Sequence, residues 1–208
     1  HGFVIRTFDH SKIVKFAVNA TIPIINALTD LHHPCQALAD LMTIQEKKGR
    51  LEDVRLAYIG DGNNVANSLI EAAALTKMNL TLACPEGYGP DRSIYEQAAS
   101  GDAGVKVVSD PAEAARNADV IYTDVWVSMG QEKEQEEKKK AFQGYQVNKA
   151  LLSLASPDVS VMHCLPAHRG EEITDDVIDS LQSVVFEQAE NRLHTQKALL
   201  EMLFKIKN

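Results

Sequence analysis

From Val54 to Phe186 the sequence alternates short apolar runs with helix-type stretches, and this alternation constrains the fold more than any other feature. VRLAYIG (54–60) reads as a strand, GDGNN (60–64) as a turn and VANSLIEAAALTK (65–77) as an Ala- and Leu-rich helix. LTLACP (80–85), VKVVS (105–109), ADVIYTDVW (118–126) and VSVMHCLP (159–166) read as further strands. SIYEQAAS (93–100) and PAEAARN (111–117) read as helices, the second opened by Asp110 and Pro111. Strands separated by helices pair in parallel through right-handed crossovers. The expected fold class is α/β, a doubly wound parallel sheet.

The flanks are less regular. Phe3 to Ile5 is short and apolar, Asp9 and Ser11 offer caps for a helix through Phe16-Ala17, and Thr21 to Asn26 reads as a strand. Pro34 suits the first turn of a helix that continues through Leu38, Leu41, Met42 and Gln45 and ends near Gly49. The 32 residues before His33 are too few to build an α/β core of their own. The chain opens at His1 rather than Met, so its true amino terminus is expected to lie upstream. AENRLHTQKALLEMLFKI closes the sequence as an amphipathic helix, with Leu193, Leu199, Leu200, Leu203 and Phe204 available for one apolar face.

Composition removes several function classes. With 45 % apolar residues in 208 there is ample surface to bury, and the longest apolar runs fall far short of the roughly 20 residues that span a bilayer. A formal charge of −8 argues against a nucleic-acid surface, while a few local Arg and His residues can still hold a small anion. Cys35, Cys84 and Cys164 have no metal-ligand spacing and form no even framework, so they read as reduced thiols in a cytoplasmic protein. The run EKEQEEKKK (132–140) reads as a solvated helix face.

Four short constellations carry chemistry. GDGNN after a strand opens a dinucleotide fingerprint, but the third glycine position is Val65, whose Cβ would crowd a helix packed close to the strand. In HHPCQ, His33 sits at the cap of a helix and Gln36 in its first turn, near the positive end of the helix dipole. HCLP ends a strand, where α/β sheets present ligands, and Pro166 leaves the carbonyls of Cys164 and Leu165 available to accept hydrogen bonds. DVWVSMG likewise follows a strand and supplies Asp124 and Ser128, a carboxylate and a hydroxyl suited to an amino-acid head group.

HPCQ, DVWVSMG and HCLP in this order resemble the transcarbamylase family, its ornithine-specific members most closely. The similarity runs from IRTFDH near the start to AENR before the last helix. It implies transfer of a carbamoyl group from carbamoyl phosphate to the side-chain amine of ornithine, giving citrulline and phosphate, with no cofactor and no metal. Carbamoyl phosphate would be held by Arg6, His33, Gln36, the carbonyls of Cys164 and Leu165, and Arg192. Ornithine would be held by Asn64, Asp124, Ser128 and the backbone of Met129. Cys164, Arg6 and His33 would act in catalysis, with Cys164 either taking the amine's proton or orienting the amine.

The same resemblance divides the chain into the remnant of a carbamoyl-phosphate domain (1–34), an interdomain helix (35–50), a Rossmann-like ornithine domain (51–186) and a closing helix (187–208) that packs back on the first. The family's phosphate-binding motif rich in Ser, Thr and Arg has no counterpart upstream of HPCQ here, so the first domain is expected to be partial and the isolated chain inactive. The family also implies a homotrimer or a multiple of it, with no nucleic-acid or membrane partner. A sister transcarbamylase acting on putrescine or an acylated ornithine, and a non-catalytic dinucleotide-binding module, remain the alternatives.

Overall fold

The structure, a computed structural model, describes residues 1–101, 104–127 and 135–205, Lys205 by its backbone alone. Five strands form one wholly parallel sheet: β3 (Arg55–Ile59), β4 (Asn79–Ala83), β5 (Val105–Val108), β6 (Val120–Thr123) and β7 (Ser160–His163), in spatial order β5-β4-β3-β6-β7. A separate pair, β1 (Phe3–Arg6) and β2 (Ile24–Leu28), is also parallel, with a register shift between Ile5 and Arg6. The α/β doubly wound reading holds for the five-stranded sheet, and the amino-terminal pair is a second, small α/β unit with α1 (His10–Asn19) as its crossover.

Alternation along the strands explains the layering. Leu56 and Tyr58 of β3, Leu80 and Leu82 of β4 and Tyr122 of β6 join one apolar cluster. Their neighbours Ala57, Ile59, Ala83 and Ile121 join another on the opposite face. Successive strand side chains point to opposite faces, so a sheet buried on both sides reads as a continuous apolar run. Ile44 of α2 (Pro34–Lys48), Leu69 of α3 (Asn64–Thr76) and Ile94 of α4 (Arg92–Ala99) cover the first face. Ala114 of α5 (Pro111–Ala115), Leu151 of α7 (Lys149–Leu152) and Val177 of α8 (Asp175–Ile178) cover the second, with Phe142 just beyond α6 (Gln135–Ala141).

Helix boundaries follow local chemistry. Asp9, Asp91 and Asp110 each accept a backbone N–H two residues on, satisfying donors the first turn leaves free. Gly49 ends α2 in the left-handed conformation (φ 72), where a side chain would be strained.

One expectation is corrected. Within the described part of the charge run, α6 is not simply a solvated face: Lys138 is buried at 2 % exposure and pairs with Asp61 at 2.6 Å. Residues 132–134 of that run lie outside the described residues. On the closing helix α9 (Val185–Lys205), Leu193, Leu200 and Phe204 of the apolar face read from its sequence are exposed. Its buried positions are Val185, Gln188 and Asn191, and the last two face α2 through hydrogen bonds to Asp40 and Thr43.

Candidate active site

The sheet reverses its winding between β3 and β6, and the carboxyl ends of those strands open the crevice where such sheets bind ligands. Asp61 to Asn64 follow β3, Asp124 follows β6 and Cys164 follows β7. The amino-terminal unit and the start of α2 form the opposite wall. Between them lies a cleft of about 620 Å³, within the usual size of a small-molecule site. Arg6, His33, Gln36, Asn64, Asp124, Cys164, Leu165 and Arg192 all line it. Ser128 and Met129 lie outside the described residues.

The carboxylate end is tightly held. The Cys164 thiol donates to Asp124 Oδ1 at 2.9 Å, and the backbone N–H of Val125 donates to the same oxygen at 2.8 Å. Asn63 Nδ2 donates to Asp124 Oδ2 at 2.7 Å. Asn63 is also the N-cap of α3, its amide oxygen accepting from the N–H groups of Val65 and Ala66. One amide thus starts the helix and aims the carboxylate. Burial, reinforced by the neighbouring Asp124 charge, pushes the Cys164 thiol well above its ordinary range. At neutral pH it is a protonated donor.

The cationic end is built from α2, α9 and β1. Arg192 Nη1 donates to Gln36 Oε1 and lies 3.5 Å from His33 Nε2. His33 occupies the N-cap position of α2 without capping through its side chain, which lines the cleft instead. Its backbone N–H donates to Ser68 Oγ at 2.8 Å. Burial first, then the Arg192 and Arg6 charges, lower His33 to about 4, so the imidazole is neutral at pH 7. Gln36 is buried rather than on the surface, its Nε2 donating to Asp40 at 2.8 Å.

Leu165 adopts the left-handed conformation (φ 56), unusual for a residue with a branched side chain. Its N–H donates to His163 Nδ1 at 2.8 Å, which leaves Nε2 of that ring to donate to Glu172 at 3.1 Å. The HCLP turn is therefore clamped from beneath by a buried His–Glu pair.

Of the two asparagines expected at the start of α3 to donate to a carboxylate, Asn63 does so, to Asp124. Asn64 donates its Nδ2 to the Thr29 carbonyl at 2.6 Å and stitches the two walls together. Asp40 and Gln188, which contribute positioning hydrogen bonds, escaped sequence reasoning. The four-residue spacing of Gln36 to Asp40 and of Gln188 to Arg192, one helical turn each, was the available signal.

Gly60 and Gly62 have structural explanations. Gly60 sits at φ +144, and a Cβ at Gly62 would fall 2.2 Å from the backbone of Gly89 and Pro90. The GDGNN turn is shaped by close chain packing, which weighs against the dinucleotide-module alternative.

A doubly wound α/β domain is joined to a smaller α/β unit, with a cleft that is cationic at one end and carboxylate-lined at the other. The family described as "Aspartate/ornithine carbamoyltransferase, Asp/Orn binding domain" matches residues 52–203. Its companion, "Aspartate/ornithine carbamoyltransferase, carbamoyl-P binding domain", matches residues 1–46. The chain belongs to the aspartate/ornithine carbamoyltransferase family.

An ornithine carbamoyltransferase of Syntrophus aciditrophicus is 59 % identical over 204 residues, 98 % of this chain and 68 % of that protein. One of Archaeoglobus fulgidus is 56 % identical over 200 residues, 96 % of this chain and 65 % of its own length. The solved ornithine carbamoyltransferase of Pyrococcus furiosus superposes with a TM-score of 0.93 at 52 % identity, covering 98 % of this chain and 66 % of that one. The anabolic enzyme of Campylobacter jejuni gives 0.93 at 37 % identity, covering 99 % and 70 %. The chain thus spans about two thirds of the length of the relatives it matches.

Proposed function

We propose that the protein carrying this chain transfers the carbamoyl group of carbamoyl phosphate to the side-chain amine of L-ornithine, giving L-citrulline and phosphate. The observation that carries this reading is the cleft's charge layout, with Arg6, Arg192 and a neutral His33 at one end and Asp124 against Cys164 at the other. Guanidinium groups offer paired N–H donors to a phosphate. A neutral His33 can donate to the carbamoyl carbonyl oxygen and stabilise the charge that develops there. Gln36 Oε1 and the carbonyls of Cys164 and Leu165 accept from the carbamoyl NH₂ and orient it. Asp124 faces the α-ammonium of ornithine; Asn64, Ser128 and the N–H of Met129 are assigned to its other head-group atoms.

The nucleophile must be the neutral amine. With a side-chain pKa near 10.4, that form is about one part in 10³ at pH 7, a cost of roughly 4.6 kcal/mol. Cys164 is held protonated by burial and by Asp124, so its assigned role is to orient the amine through its sulfur lone pairs. The amine nitrogen bonds to the carbamoyl carbon, the carbon–oxygen bond to phosphate breaks, and the proton shed by the nitrogen leaves with phosphate. No metal or cofactor enters these steps. In the same reading residues 1–34 belong to the carbamoyl-phosphate domain, 51–186 to the ornithine domain, and the protein works as a homotrimer or a multiple of it. Three free thiols suit a reducing, cytoplasmic setting.

The test is citrulline formation by the protein expressed from its complete gene, with ornithine, putrescine, an acylated ornithine and aspartate as competing acceptors. Ornithine should be used fastest. A faster rate with any other acceptor overturns the assignment.

A further inference from the structure

We propose that Asp40, which does not touch the cleft, is a positioning residue that fixes which end of the Gln36 side-chain amide faces the anion site. The proposal rests on the carbamoyl-transfer reading of that cleft. An amide's oxygen and nitrogen ends are nearly the same size, so its partners decide its orientation. Gln36 Nε2 donates to Asp40 Oδ1 at 2.8 Å, while Gln36 Oε1 accepts from Arg192. Turning the amide over would set its NH₂ against the guanidinium and take from Asp40 Oδ1 the N–H it accepts, so both present hydrogen bonds would be lost. The correct orientation presents an acceptor, which is what a carbamoyl NH₂ requires.

Asp40 is itself fixed. It lies one turn beyond Gln36 on α2, is wholly buried, and accepts from Gln188 Nε2 at 2.7 Å. Gln188 stands one turn before Arg192 on α9, and its own oxygen accepts from the N–H of His163 at 2.9 Å. The two layers form a ladder between the helices, with Gln36 and Arg192 at the cleft and Asp40 and Gln188 beneath it. A buried carboxyl group is costly, and an apolar side chain of similar size would fill the seam without that cost. The orientation of Gln36 accounts for its presence.

The experiment is a steady-state comparison in the protein expressed from its complete gene. Gln36 and Gln188 both donate to the one oxygen Oδ1, so Asp40→Asn keeps that acceptor and Asp40→Leu removes it. In Asp40→Leu the KM for carbamoyl phosphate should rise by about tenfold or more, equivalent to ~1.4 kcal/mol, while the ornithine KM stays within about twofold. Asp40→Asn, which keeps the oxygen at the Oδ1 position, should stay within about threefold of the wild-type carbamoyl-phosphate KM. A merely structural Asp40 would lower the melting temperature in Asp40→Leu and shift neither KM selectively.

If Asp40→Leu does not fold, Asp40→Ala, which removes the same acceptor without adding bulk, replaces it as the impaired member of the comparison. A wild-type protein that makes no citrulline defeats the reading of the cleft. An active wild type whose Asp40→Leu form keeps its carbamoyl-phosphate KM, or whose Asp40→Asn form is no better than Asp40→Leu, overturns the role of Asp40 alone.

Discussion

Within these 208 residues, 1–33 and 54–185 contribute to one cleft but differ in how far their apolar side chains are covered. In the first region Phe3, Phe8, Phe16 and Val18 are exposed, and Ile13 and Ile25 are its buried apolar side chains. In the second, Leu56, Tyr58, Leu80, Leu82, Val120 and Tyr122 are essentially inaccessible, and both sheet faces are covered. Arg6 and His33 belong to the weaker region. Their placement depends on stitches from α3: Asn64 to the Thr29 carbonyl at 2.6 Å, Asn67 to the Leu31 carbonyl at 3.1 Å, and Ser68 to the His33 N–H at 2.8 Å. The comparison teaches that, within these residues, hydrogen bonds from α3 hold in register a wall that brings cationic and imidazole groups to the cleft.

Hydrogen exchange on the 208-residue chain is the most direct way to break this comparison. Amides of β3, β4, β6 and β7 should exchange only through opening of the whole domain, whereas those of β1 and α1 open locally. The expected difference is at least about 10³-fold, because local opening here exposes little apolar surface. Uniform protection along the chain would show that the amino-terminal unit is as stable as the sheet.

Within the stronger half, the Lys138–Asp61 pair joins α6 to the turn after β3 at 2.6 Å, and Lys138 also lies 5.4 Å from the Tyr88 ring centroid. Lys138→Met should destabilise the domain by about 3–5 kcal/mol, the usual cost of removing one partner of a buried ion pair. Chemical denaturation measures this. A loss below about 1 kcal/mol would place the pair among surface-type contacts.

Much of the stronger half was legible in the sequence, because a parallel sheet buried on both faces produces short apolar runs that alternate with helix-type stretches. The site motifs were legible for a related reason: HPCQ, DVW and HCLP stand at strand ends or helix starts, where side chains face ligands rather than the core. Lys138 was not legible, since a charge run gives no sign of which residue turns inward to meet a carboxylate 77 positions away. The side of α9 that meets α2 was not legible for a similar reason: Gln188 and Asn191 are buried there because α2 offers Asp40 and Thr43. Local periodicity reports which residues are apolar, whereas a polar seam depends on pairings between distant segments.

At the cleft the comparison can be sharpened with Asp124, held entirely by groups of the stronger half. Asp124→Asn removes the charge assigned to the α-ammonium without disturbing the cationic end. Ornithine binding should weaken by about 1.5–3 kcal/mol, the usual worth of a hydrogen bond to a charged group. Carbamoyl-phosphate binding should change far less. Equal losses for both substrates, measured by titration calorimetry, would make Asp124 a structural residue and the two walls interdependent.

The smallest expected effect separates the regions through pH. His33 is lowered to about 4 by burial and by Arg192 and Arg6, so between about pH 4 and 6.5 the unfolded chain binds more protons there than the folded one. Its contribution to stability is present above 6.5 and lost as pH falls through 4. Asp40 behaves oppositely: burial raises it to about 7 against the opposing hydrogen bonds from Gln36, Gln188 and Tyr122. Its contribution is complete below about 3.8 and lost as pH rises through 7. Over the shared window the two slopes oppose each other in the wild type, each bounded by about 1.4 kcal/mol per pH unit. Urea unfolding at pH 4.5, 5.5 and 6.5 resolves them by difference, because the background from other carboxylates cancels. The loss on His33→Asn should grow with rising pH, and the loss on Asp40→Asn should shrink. Slopes of the same sign would mean that one of these groups is not buried as the structure has it, and a flat His33→Asn difference would place that imidazole in water and loosen the wall that Ser68 is said to hold.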